Sequence, residues 1–326
     1  METMLNAEDS LDKLNAILFT PRPKIFFREA GEIEKLDTTL QLPPLIITTE
    51  PTSNAVGFRS GQRSGLVYAN GVALKIKGCR IEEAFQNEGP YQTTHEGTLY
   101  APEGGVTLEN AKKEVSSMIR INETLHREGF PTPFEPVGII RYVKTFKSSH
   151  MDEEKELGAV VTSIKGDTRL PELYWNAKDN DALAEVTYYL GIMAGAQKRV
   201  TENARVVWSY DTGDAHIGNY IVFAENGSVW LSMSDFGSMV TARDFVRFNR
   251  REFSEMWKRE RIRIMWSTMD DTYHQVDSIK REDDGFGFID LGIAGQHNFV
   301  KGFCDGYENP DKMQKIPLDY FHLAFG

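Results

Sequence analysis

The chain has 326 residues, 40% of them hydrophobic and 26% charged, with a formal net charge of −11. That length suits about two domains of ordinary globular composition, no run approaches the ~18 apolar residues of a membrane span, and the acidic balance argues against a general nucleic-acid binder. Two cysteines, Cys79 and Cys304, lie in no CxxC pair, so neither a disulfide framework nor thiolate zinc chemistry is expected.

The opening METMLNAEDSLDKLNAILF has neither the basic start nor the long apolar stretch of a signal peptide, which points to a cytoplasmic protein. Residues 1–50 read as an N-terminal extension, with a helix near Ser10–Leu18 and a strand in PLIITTE. The first organised unit begins at SGQRSGLVYANGVALKIKGCR, where Leu66–Ala69 and Val72–Lys77 flank Asn70-Gly71, a strong hairpin signal. A loop containing Gly61, Ser64 and Gly65 precedes it, and residues 79–105 follow as an insertion without clear period.

In VTLENAKKEVSSMIRINETLHREGFPTP, Leu108, Ala111, Val115, Met118, Ile119, Asn122 and Leu125 step at helical spacing. Thr107 is the expected N-cap, and Gly129 with Pro131 the stop. PVGIIRYVKTF and ELGAVVTSIKG read as strands joined by a charged turn. After Gly166 the pattern becomes helical: Leu183, Val186, Leu190, Met193, Ala194 and Gln197 mark a long helix, and Ala242–Met265 holds further helix. The expected class is therefore α+β, with a sheet-rich lobe over 51–165 that carries one main helix and a mostly helical lobe over 166–326.

Between those helices lies YDTGDAHIGNYIVFAENGSVWLSMSDFGSM. Tyr220–Ala224 and Ser228–Met233 are strand-like and ENG is a turn, so a hairpin folds about Asn226. Asn219 stands seven residues before Asn226 and Asp235 nine after it; antiparallel pairing brings both to the open end of the ribbon, beside Asp214. Magnesium is commonly held by one or two oxygen-bearing side chains plus substrate phosphates, which suits Asn219 and Asp235. Asp214 suits a base or an orienter of a nucleophile. The competing use of such residues is to cap turns.

GDAHIGN and SDFG resemble the catalytic loop and metal-binding motif of the protein-kinase-like superfamily, in a form similar to aminoglycoside and choline phosphotransferases and RIO-type kinases. Those enzymes commonly carry His-Gly-Asp, whereas this chain has Thr212-Gly213-Asp214. The resemblance runs over residues 55–250 and implies a bilobal protein-kinase-like fold with ATP bound in a cleft between lobes. VALK ending at Lys75 looks like the strand lysine motif: Ala73 would touch adenine and Lys75 the phosphates, with Lys77 a rival on the same face. Gly61, Ser64 and Gly65 look like a loose phosphate loop. Glu114 would hold the lysine, with Glu123 as alternative, and Thr162, Ser163 and Ile164 resemble the hinge that reads the adenine edge. Asn219 and Asp235 would bind Mg²⁺ or Mn²⁺, and Asp214 would deprotonate an acceptor hydroxyl.

The implied function is ATP- and Mg²⁺-dependent phosphotransfer to a hydroxyl-bearing small molecule or protein. Adenylyl transfer on the same fold and a non-catalytic scaffold are the alternatives, the latter suggested by the loose phosphate loop and the missing loop histidine. No APE motif follows SDFG, so a long phosphorylatable activation segment is not expected. Arg247, Arg250, Arg251, Lys258, Arg259 and Arg261 form either a basic face or a solvated helix, and Trp257, Trp266, Tyr273, Phe286 and Phe288 line either a pocket or the core. Seven histidines show no ligand spacing, so no zinc or haem site is expected.

Overall fold

The structure is a computed structural model that describes residues 24–29, 31–35, 45–48, 55–59, 64–69, 72–78, 106–146, 155–174, 179–208, 215–237, 239–241, 250–268, 292–313, 315–317 and 321. It divides into two compact units, one built mainly from Pro21–Ile119 and Phe134–Ile164, the other from Arg120–Pro133 and Lys165–Gly326. Both mix α and β structure, and the strand pairings of each are antiparallel. The expected helix near Ser10–Leu18 and the insertion at 79–105 lie outside the described residues.

The first unit is one nine-stranded sheet. Its strands are β1 (Lys24–Glu29), β2 (Gly31–Lys35), β3 (Leu45–Thr48), β4 (Ala55–Arg59), β5 (Ser64–Ala69), β6 (Val72–Lys77), β7 (Val106–Thr107), β8 (Phe134–Phe146) and β9 (Lys155–Ile164). The order is β2-β8-β9-β6-β5-β4-β1-β3, with β7 also on β9. Glu29 pairs with Leu45 while Gly31 pairs with Tyr142. Only Ala30 separates them, and two residues of chain reach no further than about 7 Å. The sheet is therefore rolled, so that β1, near one end of the order, comes close to β2 at the other. Within the segment read as an N-terminal extension, β1–β3 join this sheet, and β3 falls in the strand expected from PLIITTE.

Helix α1 (Leu108–Arg127) follows β7 directly. Thr107 Oγ1 accepts the Asn110 N–H at 3.1 Å, the expected N-cap bond. At the other end Gly129 adopts φ +80°, Gly129 N donates to His126 O at 3.0 Å and Phe130 N to Leu125 O at 3.0 Å. That pair of bonds is a Schellman motif, and the buried Phe130 and Leu125 supply its apolar clasp. The division between the two units falls within this helix, between Ile119 and Arg120.

The second unit contains α2 (Leu170–Tyr174), α3 (Asn180–Asn203), α4 (Arg250–Ser267) and α5 (Gly292–Glu308). Its larger sheet runs β10 (Thr168–Arg169), β12 (Tyr220–Glu225), β13 (Ser228–Met233), β15 (Ile316–Pro317), and β11 (Val206–Val207) pairs with β14 (Val240–Thr241). Asp179 caps α3 by accepting from Asp181 N and Ala182 N at 2.9 and 3.0 Å. A buried ionic cluster joins three helices: Lys198 of α3 binds Glu260 of α4, and Glu202 accepts from Arg261 at 2.8 Å and from Tyr307 of α5 at 2.6 Å.

Helices α3 and α5 touch backbone to backbone. A Cβ on Gly191 would lie 2.3 Å from Phe299 O and one on Gly195 2.0 Å from Phe303 O. Reciprocally, a Cβ on Gly302 would meet Tyr188 O at 2.1 Å and one on Gly306 would meet Ile192 O at 2.1 Å. Glycine inside a helix usually costs about 1 kcal/mol relative to alanine; here the close approach reverses the sign. Gly195→Ala is expected to destabilise the protein by about 1–3 kcal/mol through overpacking, read as a lower urea midpoint with the slope unchanged. A variant as stable as the wild type would show that the helices separate at no cost.

Candidate functional site

The second unit builds its site on the hairpin of β12 and β13. Asn226 and Gly227 have φ of +52° and +69°, the signs a two-residue type I′ turn requires. The register Glu225↔Ser228 through Tyr220↔Met233 carries the pairing to the far end. There Asn219 O accepts twice from Ser234, from the backbone N at 2.7 Å and from Oγ at 2.8 Å. The hairpin thus sets Asn219 and Asp235 at one end, as the residue count anticipates. Asp235 itself has φ +59°, a left-handed conformation that costs a non-glycine residue about 1 kcal/mol or more and recurs at functional turns.

Several groups brace this end. Trp208, fully buried, donates Nε1–H to Ser234 O at 3.0 Å and meets Tyr220 edge to face, centroids 5.2 Å apart. Asn219 closes the short 3₁₀ turn Ile217–Asn219, whose cap is His216. His216 Nδ1 accepts the Gly218 N–H at 3.1 Å, and Ile217 N donates to Ser267 Oγ at 3.0 Å. Burial, then the charges of Arg169 and Arg263, push the His216 pKa down to about 4, against the opposing pull of Asp235. The imidazole is consequently neutral at pH 7, and its lone pair is available to the turn. Arg169, on β10 opposite Ile221, donates NH1 to Gly218 O at 3.2 Å and to Asn219 Oδ1 at 3.5 Å.

Asp214 lies outside the described residues; its neighbour Ala215 is buried. Asn219 is 4% exposed and Asp235 half-buried. One amide oxygen and one carboxylate form a donor set that fits magnesium, which keeps several waters and takes the rest of its ligands from phosphates. Among the described residues no three His, Cys, Asp or Glu side chains gather as a metal cluster. No helix of the described residues is long and apolar enough to cross a membrane.

In the first unit the expected residues fall on adjacent strands. Ala73 is buried opposite Ile164, and Lys75 sits opposite Thr162, whose Oγ1 donates to Lys75 O at 3.3 Å. Thr162 and Ile164 are buried and Ser163 is half-buried. Gly61 lies outside the described residues. Ser64 and Gly65, expected in a loop, belong to β5, where they pair with Lys77 and Ile76. The β4–β5 ladder begins at Arg59↔Gly65, so pairing extends further towards the turn than the apolar run reveals.

The lysine expectation also changes. The Glu114 carboxylate accepts from Lys77 Nζ at 2.9 Å, with side chains 17% and 8% exposed, so the rival lysine makes the ion pair assigned to Lys75. The cause is register along β9: β7, which launches α1, pairs at Gly158, Lys77 lies opposite Val160 and Lys75 opposite Thr162. Each step of two residues is about 7 Å. Seven residues of helix from Thr107 to Glu114 rise only about 10 Å, which meets the nearer lysine.

Sequence reasoning missed Arg169, Trp208, Ser234 and Ser267. Only Ser234 carried a signal, its place immediately before Asp235 at the mouth of a hairpin. The basic run towards Arg263 is neither wholly a face nor wholly solvated: Arg261 is paired inward to Glu202, while Arg251, Lys258 and Arg259 are exposed. Trp257 donates to Val206 O at 2.9 Å and packs on the Val207 and Met256 core, whereas Trp266 is 50% exposed.

No family profile matches this chain, and no curated protein matches it. Solved structures do match, among them WaaP in complex with acyl carrier protein, at 12% identity and a TM-score of 0.35 over 82% of this chain and 85% of that one. A likeness of that size carries no weight for function, so the residues themselves must.

Lys77→Met is expected to destabilise the protein by about 3–5 kcal/mol, since it strands a buried carboxylate. In a double-mutant cycle with Glu114→Leu, urea unfolding should give a coupling of about 1–3 kcal/mol. Additive losses would mean that the ion pair contributes nothing.

Proposed function

We propose that the protein is an ATP- and Mg²⁺-dependent phosphotransferase that moves the γ-phosphate to a hydroxyl acceptor. The observation that carries this reading is the Asn219–Ser234 closure, which holds an amide oxygen and the left-handed Asp235 at one end of a rigid hairpin. The part-buried Lys77–Glu114 pair supports it: a lysine fixed by a helix carboxylate is a positioned cation for phosphate oxygens. Lys77 would then share with Lys75, two residues away on the same face, the role of contacting the phosphates.

Asn219 and Asp235 would hold Mg²⁺, which when bound neutralises charge on the phosphates. Ser234, Trp208 and His216 fix the backbone around those ligands, so little reorganisation is left for the reaction. Ala73 and the Thr162–Ile164 strand would face the adenine. Asp214 would accept the acceptor's hydroxyl proton as the oxygen attacks phosphorus.

A second reading, a nucleotide-binding scaffold without catalysis, draws on Arg169: a guanidinium 3.5 Å from Asn219 Oδ1 opposes a divalent cation at the same oxygen. Product analysis separates the readings. With Mg·ATP and a panel of hydroxyl compounds, the full chain should form ADP, and Asp214→Asn should bind Mg·ATP within about twofold while ADP formation falls by about 10²-fold or more. Pyrophosphate in place of ADP would mean adenylyl transfer, and binding without product would mean a scaffold. Equal turnover in the variant would remove Asp214 from the mechanism.

A further inference from the structure

Arg169 is a cation without an acidic partner among the described residues. It is half-buried, and the side-chain bonds it makes there run from NH1 to Gly218 O at 3.2 Å and to Asn219 Oδ1 at 3.5 Å, both neutral acceptors. Glu172, three residues on, turns its Oε2 to the backbone N–H of Arg169 at 2.9 Å. A guanidinium has five N–H donors in a planar fork, so NH1 is anchored while the remaining donors are left for another group.

A charged group taken out of water is retained where a counter-charge meets it. The local field has the same sign: Arg169 and Arg263 both bear on the neutral His216, with Asp235 opposing them. β10 is only Thr168–Arg169, and its pairing with Ile221 and Val222 delivers the guanidinium over the start of β12, at the Asn219 end.

We propose that Arg169 is an anion-binding residue of this site, whose free guanidinium edge takes a phosphate-type oxyanion beside Asn219. The fork matches two oxygens of such a group at once, which a lysine cannot reproduce. This deepens the phosphotransferase reading and rests on it for the identity of the oxyanion as a phosphate. The oxyanion belongs either to the nucleotide or to an acceptor that already carries a phosphate. With such a group in place, the guanidinium near Asn219 Oδ1 is neutralised and no longer opposes a metal there.

The test uses the full chain as wild type, Arg169→Lys and Arg169→Gln, with two probes: inorganic tripolyphosphate, which lacks adenine, and Mg·ATP. Affinities come from calorimetry, and urea midpoints confirm folding. Wild type should bind both probes, Arg169→Gln should weaken both by about tenfold or more, and Arg169→Lys should fall between; that graded loss keeps the proposal readable even if the glutamine variant fails to fold. Loss for tripolyphosphate with Mg·ATP unchanged would assign the oxyanion to the acceptor. If both probes bind the variants as they bind wild type, the proposal is overturned and the phosphotransferase reading stands. Arg169-dependent tripolyphosphate binding without any Mg·ATP binding would keep the anion site and remove the phosphotransferase. Binding of neither probe to wild type would remove both.

Discussion

The carbonyl of Asn219 accepts two hydrogen bonds from one residue, Ser234, and the site in the second unit depends on that closure. It ends the β12–β13 ladder with chain on both sides held, so the backbone at Asn219 and beside Asp235 is fixed. Trp208 fixes the Ser234 carbonyl, and His216 and Ser267 fix the turn that leads into Asn219. Each bond is buried, where an unmade hydrogen bond costs about 1–3 kcal/mol. Rearranging this end therefore requires breaking several of them together.

The first unit follows a different constraint. Its rolled sheet sets β6 between β5 and β9, and the ladder with β9 fixes which lysine stands level with the second turn of α1. The Lys77–Glu114 pair is a consequence of that register, and its partial burial makes breaking it, by leaving one charge unpaired, costly. In the first unit, then, a hydrogen-bonded ladder decides which charged groups meet, whereas in the second the Lys198–Glu260 and Glu202–Arg261 pairs are set by helix packing. Side-chain chemistry selects among the positions that the backbone offers.

This difference governs what could be read in advance. Features encoded by neighbours in sequence were legible: the Asn226-Gly227 turn, α1 with its Thr107 cap and Gly129 stop, and the convergence of Asn219 with Asp235. Features decided by distant pairing were not. Lys75 and Lys77 share a face at period two, so alternation cannot choose between them; only the β7–β9 register can. The short strand β10 has no periodicity to betray it, which left Arg169 unnoticed. β2 pairs with β8, about a hundred residues further along the chain, and Gly191, Gly195, Gly302 and Gly306 gain meaning only when α3 and α5 lie against each other.

The central claim is that the open end of the hairpin is a metal-nucleotide site, and thermal unfolding with and without Mg·ATP tests it most directly. A ligand that binds the folded state alone raises the melting temperature as its concentration passes the dissociation constant. The account predicts a rise for wild type that needs Mg²⁺ or Mn²⁺ and that disappears in Asp235→Ala, while the ligand-free melting temperatures stay close. No rise with either metal, or an equal rise in Asp235→Ala, would contradict it.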